Sequence, residues 1–247
     1  MSSVQCTDFL RTLYGEREGL ATMTTRGRPK LTREAIVDAA IRVAERDGLA
    51  KLSMRNLAKE LGFEVMSLYT HVSNKADLHT GMVEHCIDQL ETPNIDHTFD
   101  WRTALRKHAL DLKALFEHHP WSVELWVRSI PGPRRFDLMD WQLAAFAASG
   151  LSEHDAHRAY HAFFNHTVGY MLQRHAMTFA GDEAAIAKMI ATLDPDRHVH
   201  VLHHVDQHRN GHIDDSFEFT LDLLLDSHTP EQRPPECEPH SESEIEP

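Results

Sequence analysis

Cysteine is scarce in this sequence, with only three residues, Cys6, Cys86 and Cys237, in a chain of 247. They are too few and too far apart for a disulfide framework or a CxxC pair, so an apolar core must hold the fold and a reducing compartment is expected. Long apolar runs are missing as well. The longest extends only from Leu143 to Ala148, far short of the roughly 20 residues that cross a bilayer, and the N-terminus lacks the continuous apolar segment of an export signal. These absences lead to the expectation of a cytoplasmic protein with no membrane contact. Aromatic residues make up 8% of the chain and hydrophobic ones 41%, which is enough to close one large domain or two small ones.

Positive charge is the other shortage. The 25 basic side chains stand against 38 acidic ones, a net charge of -13, which argues against a chain that coats nucleic acid along its whole length. The deficit is uneven. Residues 1–23 carry two basic and three acidic side chains, residues 24–80 carry ten and seven, and residues 81–247 carry 13 and 28. A small basic module on an acidic body can bind a polyanion at one end only, because the body is repelled by phosphates.

Helical punctuation is dense from Thr32 onward. Thr32 is placed to cap a helix over 33–47 whose stripe is Ile36, Val37, Ala40, Val43 and Ala44, with Gly48 as a left-handed cap. Ser53 caps a two-turn helix with Met54, Leu57, Ala58 and Leu61 inward and Gly62 closing it; a short third helix spans 64–71, and Ser73 or Asn74 caps a fourth from Lys75 to about Leu90. The tight glycine turn between the second and third makes a helix-turn-helix arrangement. Helices are expected at 101–118, 120–129, 134–149, 152–175, 182–193, 197–209 and 213–227, with breaks at Pro120, Pro131-Gly132-Pro133, Ser149-Gly150 and Asp194-Pro195. The expected fold is all-α: an N-terminal helix-turn-helix domain at 24–80 and a larger helical domain at 81–227. Residues 1–23 are expected to be a disordered extension, with Met23 as the expected true start, and 228–247, rich in proline and glutamate, a disordered acidic tail.

The run from Leu52 to Lys75, through Leu57-Ala58, Gly62, Leu68-Tyr69, His71-Val72 and Asn74-Lys75, resembles the TetR family of bacterial repressors. Gly150-Leu151-Ser152 before a long helix, and Phe217 to Asp226 as a terminal helix, are similar to the tetracycline-repressor type of C-terminal domain. The resemblance implies a ligand-responsive transcriptional regulator, a repressor that binds a palindromic DNA operator as a homodimer and is released by a small-molecule effector. It also implies phosphate contacts at Ser53, Tyr69 and Lys75. The residues support DNA binding independently. A recognition helix needs inward anchors and outward groups for base edges; Leu68 serves as anchor, while Val65, Met66, Ser67, Thr70 and His71 lie where bases can be met. Arg55 can reach a phosphate or a guanine. Arg26 and Arg28, with Lys30, either follow the minor groove or form a solvated arm that adds only salt-dependent affinity. Glu64 near the helix N-terminus is expected to cap rather than to read bases.

A two-fold operator demands two recognition helices. The long helix 152–175 and the last helix are therefore expected to form an intersubunit four-helix bundle, with Phe163, Phe164, Phe217, Leu221 and Leu224 at the dimer interface. Trp101, Phe116, Trp121, Trp126, Trp141 and Phe163, with His166, are the candidate lining of an effector pocket. Where the resemblance would place the magnesium-binding histidine of tetracycline repressors, the stretch around Leu125 and Trp126 offers leucine and tryptophan, so a bulkier and more apolar effector is expected. Eighteen of the 20 histidines follow residue 80, and spacings of four, as in His157/His161 and His200/His204/His208, put imidazoles on one helix face. A histidine-based metal-sensing regulator is thus the alternative, but HExxH and ExxH are absent, and neither a metal site nor a cofactor is expected. Without GxSxG, a P-loop or GxGxxG, no enzyme is expected either.

Overall fold

The computed structural model describes residues 30–176, 183–209 and 216–227. Arg26 and Arg28, the segment before Met23 and the acidic tail lie outside them. The described residues form eleven α-helices, one 3-10 turn at Leu49–Lys51 and no strand. In chain order the helices are α1 Arg33–Asp47, α2 Met54–Leu61, α3 Val65–Tyr69, α4 Lys75–Ile87, α5 Trp101–His118, α6 Pro120–Arg128, α7 Pro133–Ala147, α8 Glu153–Ala176, α9 Glu183–Ile190, α10 Val199–Arg209 and α11 Ser216–Asp226.

The caps explain most boundaries. Thr32, Ser53, Asn74 and Asp100 each accept a hydrogen bond from the amide three residues on, which satisfies one of the free donors of the first turn. Pro120 and Pro133 open α6 and α7, where a missing amide proton costs nothing. Ser152 precedes α8: its hydroxyl accepts from the Asp155 amide at 3.1 Å and donates to the Asp155 carboxylate at 2.8 Å. Gly62 takes φ 71°, ψ 28°, and with Phe63 donating to the Ala58 carbonyl it turns the chain sharply from α2 into α3. Gly48 differs from expectation, since its φ of 79° comes with ψ 161°, an extended rather than left-handed helical exit into the 3-10 turn.

The chain divides into two compact units, residues 1–91 with 128–134, and residues 92–127 with 135–247. The first outruns the boundary expected at 80 because Met82, Val83, Cys86 and Ile87 of α4 are buried with Ile36, Ala40 and Val43 of α1. Segment 128–134 joins it by sitting on α4. Thr80 donates to the Ile130 carbonyl at 3.1 Å, and the Arg134 amide donates to the Glu84 carboxylate at 2.7 Å. A Cβ at 132 would lie 2.5 Å from Glu84 Cδ, so any larger residue there would displace the Glu84 carboxylate from the Arg134 amide.

In the second unit, Leu105 and Ala109 of α5, Ala145 and Phe146 of α7, Ala156, Ala159, Tyr160 and Phe163 of α8, and Phe217, Leu221 and Leu225 of α11 form one core. Arginines flank the α5–α11 contact: Arg106 pairs with Asp222 at 2.9 Å and Glu218 at 2.6 Å, and Arg102 pairs with Asp226. No helix among the described residues is long and apolar enough to cross a membrane.

Candidate functional site

The first unit presents α3, a five-residue helix, on its surface. So short a helix is unstable alone and must be held from both ends. Leu68 is fully buried beneath it and anchors the middle. Met66, Tyr69, Thr70 and His71 are exposed, with Val65 and Ser67 half-buried beside them. Arg55 and Lys75 are exposed as well, and Ser53, half-buried, caps α2 by accepting from the Asn56 amide at 3.2 Å, which leaves its hydroxyl proton to donate elsewhere. Glu64 occupies the N-cap position of α3, but its side chain makes no capping bond; only its carbonyl takes part, accepting from Ser67. The expected capping role of that carboxylate is corrected accordingly.

The exit from α3 is tied down by a pair that sequence reading missed. Arg33, in the first turn of α1, donates to both carboxylate oxygens of Asp77 at 2.6 and 3.1 Å and to the His71 carbonyl at 3.3 Å. Asp77 in turn accepts from the Ser73 amide at 2.7 Å, and its own amide donates to Asn74 Oδ1 at 2.9 Å. Hydrogen bonding to Arg33 holds the Asp77 carboxyl below the usual carboxylate range, despite partial burial that works the other way. The chain between His71 and Lys75 is thereby fixed to the base of α1.

In the second unit the aromatic residues surround a buried histidine. His108 of α5 is enclosed by Trp141 and Phe163, with ring centroids 5.1 and 6.5 Å away. Gln142 Nε2 approaches His108 Nε2 at 3.0 Å. With the amide donating, the single proton of a neutral imidazole rests on Nδ1, which is buried without a hydrogen-bond partner. Burial pushes the His108 pKa down to about 4, with Lys107 adding to the shift. The indole nitrogens of Trp121 and Trp126 are likewise buried and unpartnered, whereas Trp141 donates to the Pro93 carbonyl at 2.8 Å.

Two family models match the chain. One, described as tetracyclin repressor-like, C-terminal domain, covers residues 93–227; the other, bacterial regulatory proteins of the tetR family, covers 36–80. The chain belongs to the TetR family of transcriptional regulators. The HTH-type transcriptional repressor DrrR1 of Streptomyces coeruleorubidus is 36% identical over 51% of this chain and 47% of its own length, so the match spans about half of that repressor. An HTH-type transcriptional regulator of Saccharopolyspora erythraea is 30% identical over 70% of this chain and 74% of its own. Among solved structures, a possible TetR family transcriptional regulator of Streptomyces coelicolor A3(2) superposes with a TM-score of 0.69 at 27% identity, covering 79% of this chain and 97% of that one.

For this TetR family chain the expected body residues sort by burial and by what their polar atoms already bind. Phe116 packs edge-on against Trp126 at 5.5 Å, and Trp101 leans on the core with Trp141. His166 stacks on Phe217 at 4.8 Å and bonds its carbonyl at 2.9 Å, so its imidazole is already used in joining α8 to α11. Of the residues expected at a dimer interface, Phe163, Phe217 and Leu221 are buried inside the chain's own core, and Phe164 and Leu224 are half-buried. The surface of α11 exposes Phe219 (64%) and Leu223 (54%) instead. His157 and His161 do meet, with ring centroids 4.5 Å apart, but among the described residues no three histidine, cysteine or carboxylate side chains converge as a metal site requires. His208 has no described side chain.

His108 gives the core a pH dependence with a definite sign. Its folded pKa lies below the ordinary value of 6.5, so the unfolded chain binds the extra proton and stability falls as pH drops below about 6.5. Between pH 7 and 5 the loss is about 2 kcal/mol. Urea unfolding of the wild type and of His108→Leu at both values measures it; equal pH dependence in the two would remove His108 as its source.

Proposed function

We propose that this chain is a cytoplasmic, homodimeric repressor whose α3 enters the major groove of a palindromic operator and whose second unit releases it on binding a small, uncharged, largely aromatic effector. The observation that carries the DNA-binding part is the exposed row on α3, anchored by buried Leu68 and clamped at its exit by Arg33 and Asp77. Ser53, Tyr69 and Lys75 contact phosphates, which set register; Arg55, Val65, Met66, Ser67, Thr70 and His71 face the bases. Arg26 and Arg28 reach the adjoining backbone or minor groove.

The effector class follows from the chemistry of the second unit. Two indole N–H groups and one imidazole N–H are enclosed without acceptors, and a buried donor left unpaired costs about 1–3 kcal/mol. A ligand with carbonyl or ether oxygens would satisfy whichever of these donors it reaches, and aromatic rings on it would pack against the neighbouring aromatic side chains. The neutral His108 supplies no cation to hold a carboxylate. Effector binding lowers operator affinity because the two conformations bind the effector unequally. Dimerisation covers Phe219 and Leu223, which a lone subunit leaves in water, and takes in the half-buried Phe164 and Leu224.

The testing experiment is selection of bound duplexes from a random pool with the full-length protein, followed by sizing of the complex. A palindrome bound by two chains is expected. Lys75→Ala should weaken all sequences alike, by about tenfold, and reduce the slope of affinity against salt by about one counterion. Unchanged affinity and slope would show that Lys75 faces no phosphate.

A further inference from the structure

Which bases α3 prefers can be narrowed from the bonds its side chains already make. Met66 and Thr70 are four residues apart and therefore share one edge of the helical turn, and both are exposed. Met66 is 72% exposed, an unusual position for a large apolar side chain on a surface that must meet a charged polymer. Its thioether chain is flexible, makes no useful hydrogen bond to a base edge, and gains only from contact with apolar atoms. Thr70 has a hydroxyl, but that hydroxyl donates to the Ser67 carbonyl at 2.7 Å. With its proton committed to the backbone, Thr70 cannot donate to guanine N7 and O6, adenine N7 or thymine O4, which are the acceptors that dominate the major groove. Outward, its oxygen can still accept from adenine N6 or cytosine N4, and the side chain presents a methyl group. In the major groove the apolar feature that distinguishes one base pair from another is the 5-methyl of thymine.

We propose that Met66 and Thr70 form an apolar pair that reads thymine 5-methyl groups in each half-site, with Thr70 contributing its methyl rather than its hydroxyl. This rests on α3 being the DNA-reading helix. Hydrogen-bonded discrimination on this surface then falls to the side chains of Arg55 and His71, which are exposed, and of Ser67, which is half-buried.

The test uses the selected operator with each thymine replaced in turn by deoxyuridine, which removes the methyl and leaves base pairing intact. Affinities are measured by fluorescence anisotropy at fixed salt for the full-length wild type, Met66→Ala, Thr70→Ser and Thr70→Val. One or two positions per half-site should lose about threefold to fivefold with the wild type, the worth of one buried methyl. Met66→Ala should lose that sensitivity at one position and Thr70→Ser at its neighbour, while Thr70→Val, which keeps the methyl and discards the hydroxyl, should retain it. Circular dichroism should show the same helix content and melting for all four, since the substituted side chains are at the surface. If the operator is bound tightly and no deoxyuridine matters, or if Thr70→Val behaves as Thr70→Ser does, the methyl reading is overturned and the DNA-binding reading stands. If no duplex is enriched at all, both fall.

Discussion

Replacing Phe217 with alanine is expected to cost about 3–5 kcal/mol of stability and to lower Tm by about 10 °C. Phe217 is fully buried at the start of α11. It stacks on His166 at 4.8 Å, meets Tyr170 edge-on at 5.1 Å and lies 5.8 Å beneath the Lys113 ammonium. Truncation leaves a cavity bounded by α5, α8 and α11, three rigid helices that cannot collapse into it freely. Phe219, two residues on and exposed, is the control. Phe219→Ala should have little effect in dilute protein, but it should abolish any rise of Tm with concentration if that face joins two chains. Thermal melts at two concentrations a hundredfold apart separate the effects. A loss of under 2 °C for Phe217→Ala would contradict its place in the core.

Asp77→Ala is expected to have the second largest effect, about 2–3 kcal/mol on stability and tenfold or more on operator affinity. Three hydrogen bonds disappear, two from Arg33 and one from the Ser73 amide, and charge-assisted bonds are the stronger kind. Partial solvent access moderates the cost, since screening weakens an ion pair that water can reach. The DNA effect follows from position. Without the Asp77 carboxylate the segment from His71 to Lys75 keeps, of its bonds to α1, only those from Arg33 to the backbone carbonyls of residues 71 and 77, so part of the entropy of ordering it must be supplied on binding. The pH dependence has the opposite origin to that of His108. Because the folded pKa of Asp77 is depressed, its stabilisation is complete above the unfolded value near 4 and disappears as pH falls through the lower folded value. Denaturant melts at pH 7 and 3 should therefore show the wild type converging on Asp77→Ala in acid. Anisotropy against the operator at pH 7 measures the DNA term, and affinity equal to that of the wild type would show that the clamp does not position the reading helix.

Much of the head was readable from local chemistry. The side chains of Thr32, Ser53 and Asn74 cap by accepting from the backbone amide three residues on, and Gly62 makes a turn that only the two or three residues on either side decide. Such signals work because the interacting groups are neighbours in the chain, so residue type and spacing already specify the geometry. The same holds for Pro120 and Pro133. Glu64 shows the limit, for its N-cap position was legible but its rotamer was not: the carboxylate makes no cap bond.

What the sequence determined by itself was the helical architecture, the helix-turn-helix and the row of side chains on α3, all set by periodicity and short-range hydrogen bonds. What only the tertiary structure decided were contacts between residues distant along the chain. Arg33 and Asp77 lie 44 positions apart, His108 and Gln142 lie 34, and no local pattern announces either pair. Burial on α8 and α11 was similarly ambiguous, because one apolar stripe looks the same whether it faces its own core or a second chain. Packing against α5 and α7 placed Phe163, Phe217 and Leu221 inside and left Phe219 and Leu223 outside. The physical reason is common to all three cases: which atoms are withdrawn from water depends on where other helices lie, and that is a property of the assembled fold rather than of any segment.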